Sequence, residues 1–450
     1  MHICVIGGAG YVGLITGLGL AEAGHHVSNV DLNEPRILQL QSGELPILEA
    51  GLDDALKRNL DSGRLTFSTE MGQAVKSSQV VFIAVGTPPG QDGRADLSDI
   101  IQVTEDLAQW LDDYKVLAIR STVPTGSVEI IRNLLNKDHE EGRDYDIVVN
   151  PEFLREGKGL QDFLSPDRIV IGTGFERARQ VMRDVYGPII QRTLSPPESK
   201  HKANNSGPVP LVETDVVSAQ MIKYSSNAFL AARVSFINEV AGLCENVGAD
   251  VTEVIRGIGY DPRIGHSYLS AGLGFGGPCI EKDLRALIGV AGDNGHDPVM
   301  LKAMLERNER QVKDIIAKMK RALDGSIAGK TIAALGLTFK AGTNDARNSL
   351  AVQVINQLAK QCASVRVYDP EAVIEDICLE AGVKVCNDAY EAVENADALA
   401  ILTEWPSFAE LDFKRIKGSM AKTRIVDGRN LLDPAKLRAA GFSYVGVGRP

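Results

Sequence analysis

The 450-residue sequence lacks several features that mark other classes of protein. It contains no Cys-x-x-Cys pair and no histidines at metal-ligand spacing, so we expect no metal site. No apolar stretch reaches the roughly 18 residues that a membrane-spanning helix needs. The cysteines are scattered, as in proteins of a reducing cytoplasm that keep free thiols. They are Cys4, Cys244, Cys279, Cys362, Cys378 and Cys386. We therefore expect a cytoplasmic protein without a metal.

An excess of positive charge is also missing. The formal net charge is -11, which argues against nucleic acid or an anionic membrane as the main partner. Any anionic ligand must therefore be held by local lysines, arginines and helix N-termini. The length exceeds what one hydrophobic core organises and indicates roughly two to four domains. This composition suits an intracellular enzyme.

The first 31 residues contain the pattern of a dinucleotide-binding unit. An apolar strand, His2–Ile6, precedes the motif Gly8-x-Gly10-x-x-Gly13 and a helical stretch that ends at Gly24. A second strand then ends at Asp31, where the ribose-binding acid of such units lies. An acid there accepts hydrogen bonds from a ribose 2′-hydroxyl and repels a 2′-phosphate. The sequence therefore favours NAD over NADP as the cofactor.

Arg36 and the apolar start of the chain leave alternatives open. Arg36 follows the acid closely, and it could stack on adenine or contact a phosphate. The apolar start could also be a signal peptide, but no basic region precedes it and glycines interrupt it. We therefore keep the dinucleotide-binding interpretation.

The stretch from Gly274 to Asp283 combines three glycines, a proline and a cysteine before two charged residues. Pro278 suits the first position of a helix, where its missing N–H is not needed. Cys279 would then lie beside unpaired N–H groups at the positive end of the helix dipole, which favour the thiolate. Lys282 and Asp283 follow on the same side of that helix. A buried cysteine in a glycine-rich turn is the alternative, but we interpret Cys279 as a nucleophile.

Strand and helix patterns alternate through the first half of the chain. The strands predicted there are Val80–Gly86, Val116–Ser121, Ile147–Asn150 and Ile169–Gly172. A long apolar helical pattern runs from about Thr214 to Gly248, as is typical of a helix shared between domains or subunits. A second alternating unit begins at Lys330. Its predicted strands are Thr331–Leu337, Ser364–Tyr368, Ala398–Leu402 and Arg424–Val426.

These patterns predict an α/β protein with two Rossmann-like, doubly wound parallel-sheet domains joined by a central long helix and helical domain. We place the NAD-binding domain at residues 1–205, the central helical and dimerisation domain at 206–312, and the second Rossmann-like domain at 313–450. A ligand cleft is expected between the two α/β domains. The polar segment Ser195–Pro208 is interpreted as a solvated loop or linker.

The order of several motifs along nearly the whole chain resembles the UDP-glucose/GDP-mannose dehydrogenase family. The matching segments are Gly10–Leu14, Gly86–Pro88, Ser121–Pro124, Asn150–Gly157, Lys223–Asn227, Gly274–Asp283, Phe339–Lys340, Asp345–Arg347 and Asp427–Arg429. The resemblance implies an NAD-dependent enzyme that oxidises the C6 alcohol of a nucleotide sugar, UDP-glucose above all, to the uronate. It also implies that the C-terminal domain binds the UDP-sugar and that the chain forms a homodimer or a higher homo-oligomer.

The implied reaction removes four electrons and uses two NAD+ in turn. Hydride transfer from C6 gives an aldehyde, and a thiolate can add to it to form a thiohemiacetal. Oxidation of that adduct gives a thioester, which water hydrolyses. Every step passes through an alkoxide or oxyanion, so cationic and amide donors should converge on that oxygen. Cys279 is the nucleophile that this chemistry requires.

Further catalytic roles follow from spacing and from the resemblance. Lys223 and Asn227 are four residues apart on the long helix and project from one face. Glu152 follows the predicted strand Ile147–Asn150, at the carboxyl edge where ligands bind in such sheets. By resemblance, Glu152 and Thr122 assist hydrolysis, while Asp283 orients the attacking water.

The same resemblance implies two sets of binding residues. Those for NAD are Gly8, Gly10, Tyr11, Val12, Gly13, Asp31, Arg36, Thr87, Ser121, Thr122, Glu156, Lys282 and Arg347. Those for the sugar nucleotide are Glu152, Phe153, Leu154, Arg155, Lys223, Asn227, Arg263, Tyr268, Leu269, Ser270, Ala271, Gly272, Gly276, Lys340 and Arg429. Arg263 resembles an arginine that reaches the substrate of the partner subunit.

The sequence departs from the family pattern at four places. Pro278 stands where serine is usual before the cysteine, and Glu281 stands where proline is usual after it. Arg120 replaces a lysine that is common before Ser-Thr-Val-Pro. The segment Ser195–Pro208 is longer than the usual connection. The changes at Pro278 and Glu281 affect the donors around Cys279 and the cofactor contact of Lys282, but they retain the nucleophile.

Several other functions remain open from the sequence. GDP-mannose or a UDP-N-acetylhexosamine could be the substrate, because the loops that distinguish the bases and sugars cannot be read. A two-electron β-hydroxyacid-type dehydrogenase shares the Rossmann and helical domains but needs no cysteine. A non-catalytic sugar-nucleotide sensor would bind the substrate without turnover. The number of NADH molecules released per sugar separates the two-electron dehydrogenase, and a panel of sugar nucleotides separates the other possibilities.

Overall fold

The computed structural model describes residues 1–90, 93–194, 207–361 and 364–449. These residues divide into two compact units. The first unit contains Met1–Ser226 and Arg285–Val290, and the second contains Asn227–Leu284 and the chain from Ala291 onward. Within the described ranges, no helix combines the length and the apolar character needed to cross a membrane.

The first unit is built on a sheet whose described strands have the order β3-β2-β1-β4-β5-β6-β7-β8. The strands are β1 His2–Ile6, β2 His26–Val30, β3 Leu65–Ser68, β4 Val80–Ile83, β5 Lys115–Ile119, β6 Tyr145–Val149, β7 Ile169–Gly172 and β8 Leu211–Thr214. The helices are α1 Tyr11–Glu22, α2 Glu34–Gln41, α3 Leu52–Asp61, α4 Met71–Lys76, α5 Ser98–Ala108, α6 Ser127–Leu135, α7 Gly159–Leu164 and α8 Glu176–Ile190.

The central strands of this sheet are buried along their whole length. β4, β5, β6 and β7 consist mainly of valine, isoleucine and leucine, and every residue in them is buried. Continuous apolar strands of this kind form when helices cover both faces of a parallel sheet. The predicted strands therefore occur where expected, although β4 ends at Ile83 rather than Gly86.

β7 and β8 run opposite to the first six strands, because β7 is antiparallel to β6 and β8 is parallel to β7. The connection between β6 and β7 holds only the six-residue α7, and it turns back at the edge where β6 ends. The chain therefore does not cross to the opposite edge before β7 begins. As a result, residues 150–168 stay at the carboxyl edge of the sheet, where ligands bind in folds of this type.

Long helices follow the first sheet. α9 covers Val216–Val247 and contributes residues to both units, as the pattern from Thr214 to Gly248 predicts. α10 covers Val251–Gly259, α11 covers Ile280–Asp293 and α12 covers Val299–Ala322. α12 packs into the second unit, since Val312, Ile315 and Met319 belong to that unit's apolar core.

The second unit contains a parallel sheet with the strand order β11-β10-β9-β12-β13-β14. Its strands are β9 Thr331–Leu335, β10 Ser364–Tyr368, β11 Val383–Val385, β12 Ala398–Ile401, β13 Arg424–Asp427 and β14 Ser443–Val445. Its helices are α13 Leu350–Ala359, a 3-10 turn at Ile374–Asp376, α14 Ala389–Val393, α15 Pro406–Ala409, α16 Phe413–Ser419 and α17 Pro434–Ala439.

The two sheets share one topology. When the strands of each sheet are numbered from 1 along the chain, the six strands of the second sheet lie side by side in the order 3-2-1-4-5-6. The first six strands of the first sheet lie in the same order. This is the dinucleotide-binding arrangement, in which ligands bind where the strand order reverses. The prediction of two Rossmann-like domains with a central helical region is therefore confirmed.

The domain boundaries after residues 205 and 312 stay predictions. Most of the segment Ser195–Pro208 lies outside the described residues, because residues 195–206 are not among them. Cys362 also lies outside the described residues.

Candidate active site

The glycine-rich loop lies between β1 and α1, as its sequence predicts. Gly10 precedes α1, and no side chain caps the N-terminus of this helix. A Cβ atom on Gly13 would overlap the backbone of Gly7, so only glycine allows the helix to start so close to the strand. The uncapped N–H groups and the positive helix end form a cradle for a phosphate.

Asp31 lies at the end of β2 beside this loop. One carboxylate oxygen accepts a hydrogen bond from the Ala9 N–H at 3.0 Å, and the other accepts one from Asn33 at 3.0 Å. The acid is therefore fixed next to the phosphate cradle, in the position that suits a ribose 2′-hydroxyl. Arg36 is exposed in the first turn of α2. The loop and the acid together fit NAD.

The loops after β4 and β5 are tied to each other. The Thr87 hydroxyl donates to the Thr122 carbonyl at 2.9 Å, and the Ser121 hydroxyl donates to the Val85 carbonyl at 2.6 Å. Thr87 and Ser121 are buried and Thr122 is partly exposed. All three predicted residues therefore lie together at the carboxyl edge of the first sheet.

Glu152 and Lys223 form a buried ion pair in the first unit. Lys223 Nζ lies 2.7 Å from Glu152 Oε1, and both residues are more than nine-tenths buried. Burial tends to raise the pKa of Glu152, but the charge and hydrogen bond of Lys223 outweigh it. The Leu154 N–H and the charge of Arg120 act in the same direction, so the pKa of Glu152 is lowered. Glu152 is therefore an ionised acceptor.

Arginines support the loop that carries Glu152. Arg120 is buried, and its Nη1 donates to the carbonyls of Asn150 and Pro151 at 3.3 and 3.2 Å. The Arg168 guanidinium lies 3.5 Å from the centre of the Phe153 ring. Arg155 forms an ion pair with Asp162. Arg120, noticed in the sequence only as a departure, thus supports the turn before Glu152.

Cys279 lies in the second unit, directly before the first residue of α11. Its side chain is exposed, and its carbonyl accepts a hydrogen bond from the Asp283 N–H at 2.9 Å. The cysteine that we predict to be the nucleophile therefore lies at a helix N-terminus, as expected. Because the helix begins at Ile280, the expectation that Pro278 is its first residue is wrong. Pro278 instead precedes the residue that caps the helix.

Asp283 is held at the base of this turn. Asn227 Nδ2 donates to Asp283 Oδ2 at 2.6 Å, and Lys282 Nζ lies 2.6 Å from Asp283 Oδ1. Asp283 is 1% exposed, so both of its oxygens are engaged inside the protein. The predicted residues Asn227, Lys282 and Asp283 therefore form one cluster beside Cys279.

Buried amides that sequence reasoning missed fix the loop before Cys279. Asn308 on α12 accepts from the Phe275 N–H at 2.8 Å and donates to the Phe275 carbonyl at 2.9 Å. Asn238 on α9 accepts from the Gly272 N–H at 2.8 Å. Gly277 has φ +84°, and a Cβ there would lie 2.8 Å from the Phe339 ring. An amide in an otherwise apolar stretch of helix is the signal that could have revealed Asn238 and Asn308.

Several of the predicted sugar-nucleotide residues of the second unit lie at the carboxyl edge of its sheet. Asn430 Nδ2 donates to the Ala271 carbonyl at 3.4 Å, which joins the segment Tyr268–Gly272 to the loop after β13. Arg429 donates to the carbonyls of Leu402 and Phe339 at 2.8 and 2.9 Å. Arg429 therefore holds together the loops after β9 and β12.

The remaining predicted residues are distributed as follows. Leu269 and Ala271 are buried, whereas Ser270 is exposed and Gly276 is partly buried. Lys340 Nζ lies 5.5 Å from the centre of the Phe339 ring. Lys282 and Arg347, predicted for the cofactor, belong to the second unit, where Arg347 pairs with Asp345 at 2.5 Å.

Arg263 is 87% exposed and forms an ion pair with Asp261 at 2.6 Å. Arg233 on α9 fixes the loop that follows Arg263, because the Arg233 guanidinium donates to the carbonyls of Ile264, Gly265 and Ser267. The loop is thus fixed, although Arg263 itself projects to the surface. Among the residues that the structure describes, no cluster of histidine, cysteine and acidic side chains has the form of a metal site.

Models of one protein family match three parts of the chain. They are the UDP-glucose/GDP-mannose dehydrogenase family's NAD binding domain at residues 1–190, central domain at 217–310 and UDP binding domain at 333–434. The chain is 42% identical to a UDP-glucose 6-dehydrogenase of Rhizobium meliloti (strain 1021), and the match covers both proteins completely. It is 39% identical to the UDP-glucose 6-dehydrogenase TuaD of Bacillus subtilis (strain 168), over 100% of this chain and 93% of TuaD.

Solved structures agree with these matches. A UDP-glucose dehydrogenase from Pyrobaculum islandicum superimposes with a TM-score of 0.88 at 35% identity, over 100% of this chain and 98% of that one. A UDP-D-ManNAc dehydrogenase from Pyrococcus horikoshii gives 0.85 at 28% identity, over 100% and 99%. Since three family models and full-length relatives agree with the geometry, this chain belongs to the UDP-glucose/GDP-mannose dehydrogenase family and is an NAD-dependent dehydrogenase.

Proposed function

We propose that this enzyme converts UDP-glucose, two NAD+ and water to UDP-glucuronate and two NADH. The observation that carries the proposal is the exposed Cys279 at the start of α11, with the buried Asp283 one turn further on. A dehydrogenase that stops at the aldehyde needs no such thiol. The UDP-glucose 6-dehydrogenases among its relatives support the choice of substrate.

Bound NAD, held by the loop Gly8–Gly13 and Asp31, supplies the hydride acceptor for both oxidations. Lys223 and Asn227 are one turn apart on α9 and provide an ammonium and an amide for the oxygen on C6. Donors fixed in advance stabilise the alkoxide and oxyanion that form there. The ion pair of Lys223 with Glu152 holds this ammonium in place.

Covalent chemistry at Cys279 links the two oxidations. The thiolate adds to the C6 aldehyde, so that an S–C bond forms and the carbonyl electron pair moves to oxygen. Oxidation of this thiohemiacetal leaves a thioester on Cys279. Water then adds to the carbonyl carbon, the C–S bond breaks and the thiolate leaves. Asp283 orients that water, while Glu152 and the Thr122 hydroxyl assist the hydrolysis.

A panel of sugar nucleotides tests the proposal. We expect UDP-glucose to release two NADH per molecule and to end as the acid. One NADH with an aldehyde product would contradict the four-electron reaction. A UDP-N-acetylhexosamine is the second candidate substrate, because the structure of a UDP-D-ManNAc dehydrogenase superimposes well on this chain. Preferential turnover of that sugar, or of GDP-mannose, would overturn the assignment to UDP-glucose.

We also propose that the enzyme acts as a homodimer or higher homo-oligomer built on α9. Phe229, Phe236 and Leu243 recur every seven residues along this helix and are 57–64% exposed. Large apolar side chains in one exposed stripe are costly in water and are typical of a protein interface. Sedimentation velocity at micromolar concentration should show at least twice the mass of one chain. An active monomer would contradict this assembly.

The cytoplasm is the compartment that we propose for this enzyme. Cys279 must remain a thiol for the covalent steps, and the reducing cytoplasm preserves thiols. Fractionation of the source cells should recover the UDP-glucose-dependent formation of NADH in the cytosolic fraction. Recovery of that activity in a secreted or membrane fraction would overturn the proposal.

A further inference from the structure

Glu49 is a buried acid that belongs to none of the motifs that mark the active site. It lies in the connection between α2 and α3 and is 5% exposed. A carboxylate is costly to bury unless its oxygens receive hydrogen bonds. The groups that satisfy Glu49 therefore indicate what it does.

Both oxygens of Glu49 are engaged by parts of the site that are distant in sequence. The Tyr11 hydroxyl donates to Oε2 at 2.7 Å, and Tyr11 is the first residue of α1, inside the cofactor fingerprint. The Leu160 N–H donates to Oε1 at 2.7 Å, and Leu160 follows the loop that carries Glu152. The Tyr11 hydroxyl also lies 3.2 Å from the Arg155 carbonyl. Glu49 thus connects the fingerprint helix to the loop 152–160.

Gly159 gives independent evidence that this junction is closely fitted. A Cβ atom at this position would overlap the Tyr11 hydroxyl and would lie 3.2 Å from Glu49 Oε1. Gly159 does not have a left-handed φ, so the backbone conformation does not require glycine there. The close approach of Tyr11 and Glu49 to the main chain requires it.

We propose that Glu49 is a positioning residue. It holds residues 152–160, which form the loop that carries Glu152 and the start of α7, in place against the start of the fingerprint helix α1. Glu152 lies at one end of this loop, and its place beside Lys223 depends on where the loop runs. Tyr11 lies where the fingerprint helix begins, so a shift of its side chain disturbs the phosphate cradle. The inference rests on the proposed function for its kinetic effect but not for its effect on NAD binding.

The electrostatics agree with this role. Burial raises the pKa of Glu49, although the hydrogen bonds from Tyr11 and from main-chain N–H groups oppose that shift. Burial and the negative charge of Glu49 likewise raise the pKa of Tyr11, which therefore stays protonated and donates. Glu49 therefore acts as the acceptor and Tyr11 as the donor of the hydrogen bond that joins them.

The test compares Glu49→Gln, Tyr11→Phe and the double variant with Glu44→Gln as a matched control. Glu44 is an exposed carboxylate in the same connection. The amide NH2 of glutamine cannot accept a hydrogen bond, so Tyr11 or Leu160 loses its acceptor in Glu49→Gln. We expect the dissociation constant of NAD+, measured by calorimetry, to rise about tenfold in each single variant, and kcat with UDP-glucose to fall by a similar factor.

NAD+ affinity and kcat of the double variant should be no lower than those of either single variant, because both substitutions disrupt the same junction. Hydrogen exchange in the folded Glu49→Gln protein should accelerate in peptides from residues 153–160 and leave the second sheet unchanged. The inference would be overturned if the losses of the two single variants multiplied in the double variant. It would also be overturned if Glu49→Gln had the same NAD+ affinity and kcat as Glu44→Gln. If the native protein does not oxidise UDP-glucose, the proposed function fails while NAD+ binding and hydrogen exchange still decide the role of Glu49.

Discussion

At the scale of single residues, the charged groups of the candidate site are buried, whereas the proposed nucleophile is exposed. Glu152 and Lys223 neutralise each other inside the first unit, while Asp283 is held by Asn227 and Lys282 inside the second. Cys279 alone among these side chains is exposed. An exposed thiol can reach a substrate, whereas the buried groups keep fixed positions.

Replacing Cys279 by serine should reduce the overall formation of the acid by several orders of magnitude. A serine hydroxyl is a weaker nucleophile and a poorer leaving group than a thiolate, and the thioester steps need both properties. Calorimetry should show that NAD and UDP-glucose still bind, and Cys279→Ala should behave in the same way. Cys378→Ala is the control, since Cys378 is also exposed. Acid formation at a near-normal rate in Cys279→Ser would mean that water attacks the aldehyde directly.

Asp283→Asn should retain the thiol and slow the hydrolysis of the thioester. The amide still fills the buried position beside Asn227, but it cannot act as a carboxylate toward water. Mass spectrometry of the stopped reaction should therefore detect a covalent sugar adduct on Cys279. Hydrolysis at the native rate, with no adduct, would remove Asp283 from this step.

The Glu152–Lys223 pair should make the protein sensitive to acid. The folded-state pKa of Glu152 is lower than its ordinary value of 4.5, so the pair stabilises the fold fully above about pH 4.5. This contribution is lost as the pH falls through the lower folded-state pKa. Thermal unfolding followed from pH 7 to pH 3 should show a shallower loss of stability in Glu152→Gln. An identical pH dependence in the variant would contradict the ion-pair account.

At the scale of elements, turns between strands and helices position the chemistry. The turn from β1 to α1 exposes N–H groups because glycines let the helix begin beside the strand. The turn into α11 places Cys279 at a helix start, and Asn308 on α12 holds the preceding loop. The same kind of local structure therefore serves a phosphate in one unit and a thiol in the other.

Asp31→Ser should relax the preference for NAD+ over NADP+. Removal of the carboxylate at the end of β2 removes the repulsion of a 2′-phosphate, and Arg36 in the next helix then has no acid to compete with. The ratio of kcat/KM for the two cofactors should move toward NADP+ by about tenfold or more. Addition of Arg36→Ala should cancel part of that gain. Equal use of both cofactors by the native protein would show that Arg36 already outweighs Asp31.

Asn308→Ala should loosen the loop that ends at Cys279. It removes both hydrogen bonds to Phe275 without changing a group of the reaction. We expect kcat to fall about tenfold, with NAD+ affinity unchanged and a changed rate of Cys279 alkylation by iodoacetamide. Asn356→Ala is the matched control, because this amide fixes Cys378 and Glu380 instead. Equal effects of the two substitutions would indicate a general loss of stability.

At the scale of the whole molecule, the two Rossmann-like units match family domains for different ligands. The family's NAD binding domain matches residues 1–190, and its UDP binding domain matches residues 333–434. α9 contributes to both units and also carries the exposed stripe of Phe229, Phe236 and Leu243. The helix that we propose as the interface between chains is therefore also part of both units.

Mixing two inactive variants should restore activity if Arg263 serves the partner's substrate. In a heterodimer of Arg263→Ala with Cys279→Ala, one site keeps both its own cysteine and the arginine of the other chain. Random exchange of dimers should therefore recover about a quarter of the native sites. NADH formation after refolding the mixture measures this recovery. No recovery, although native mass spectrometry shows heterodimers, would confine Arg263 to its own chain.

Much of the fold and several local features of the candidate site follow from the sequence alone. Apolar runs fix the strands because a buried parallel sheet needs continuous valine and isoleucine. Glycine and acid spacing fix the cofactor loop because they encode short-range backbone geometry. For the same reason, Cys279 at a helix start could be recognised from Gly274–Asp283, apart from the exact first helical residue.

The tertiary structure alone decided which side chains meet. Lys223 pairs with Glu152 across 71 residues, and Glu49 accepts the Leu160 N–H across 111. No periodicity or motif in the sequence predicts either contact, because each contact depends on the path of the chain between distant segments. The antiparallel turn into β7, which keeps residues 150–168 at the ligand edge, was equally invisible. Local patterns determine elements and the chemistry they offer, whereas long-range packing determines which of those groups act together.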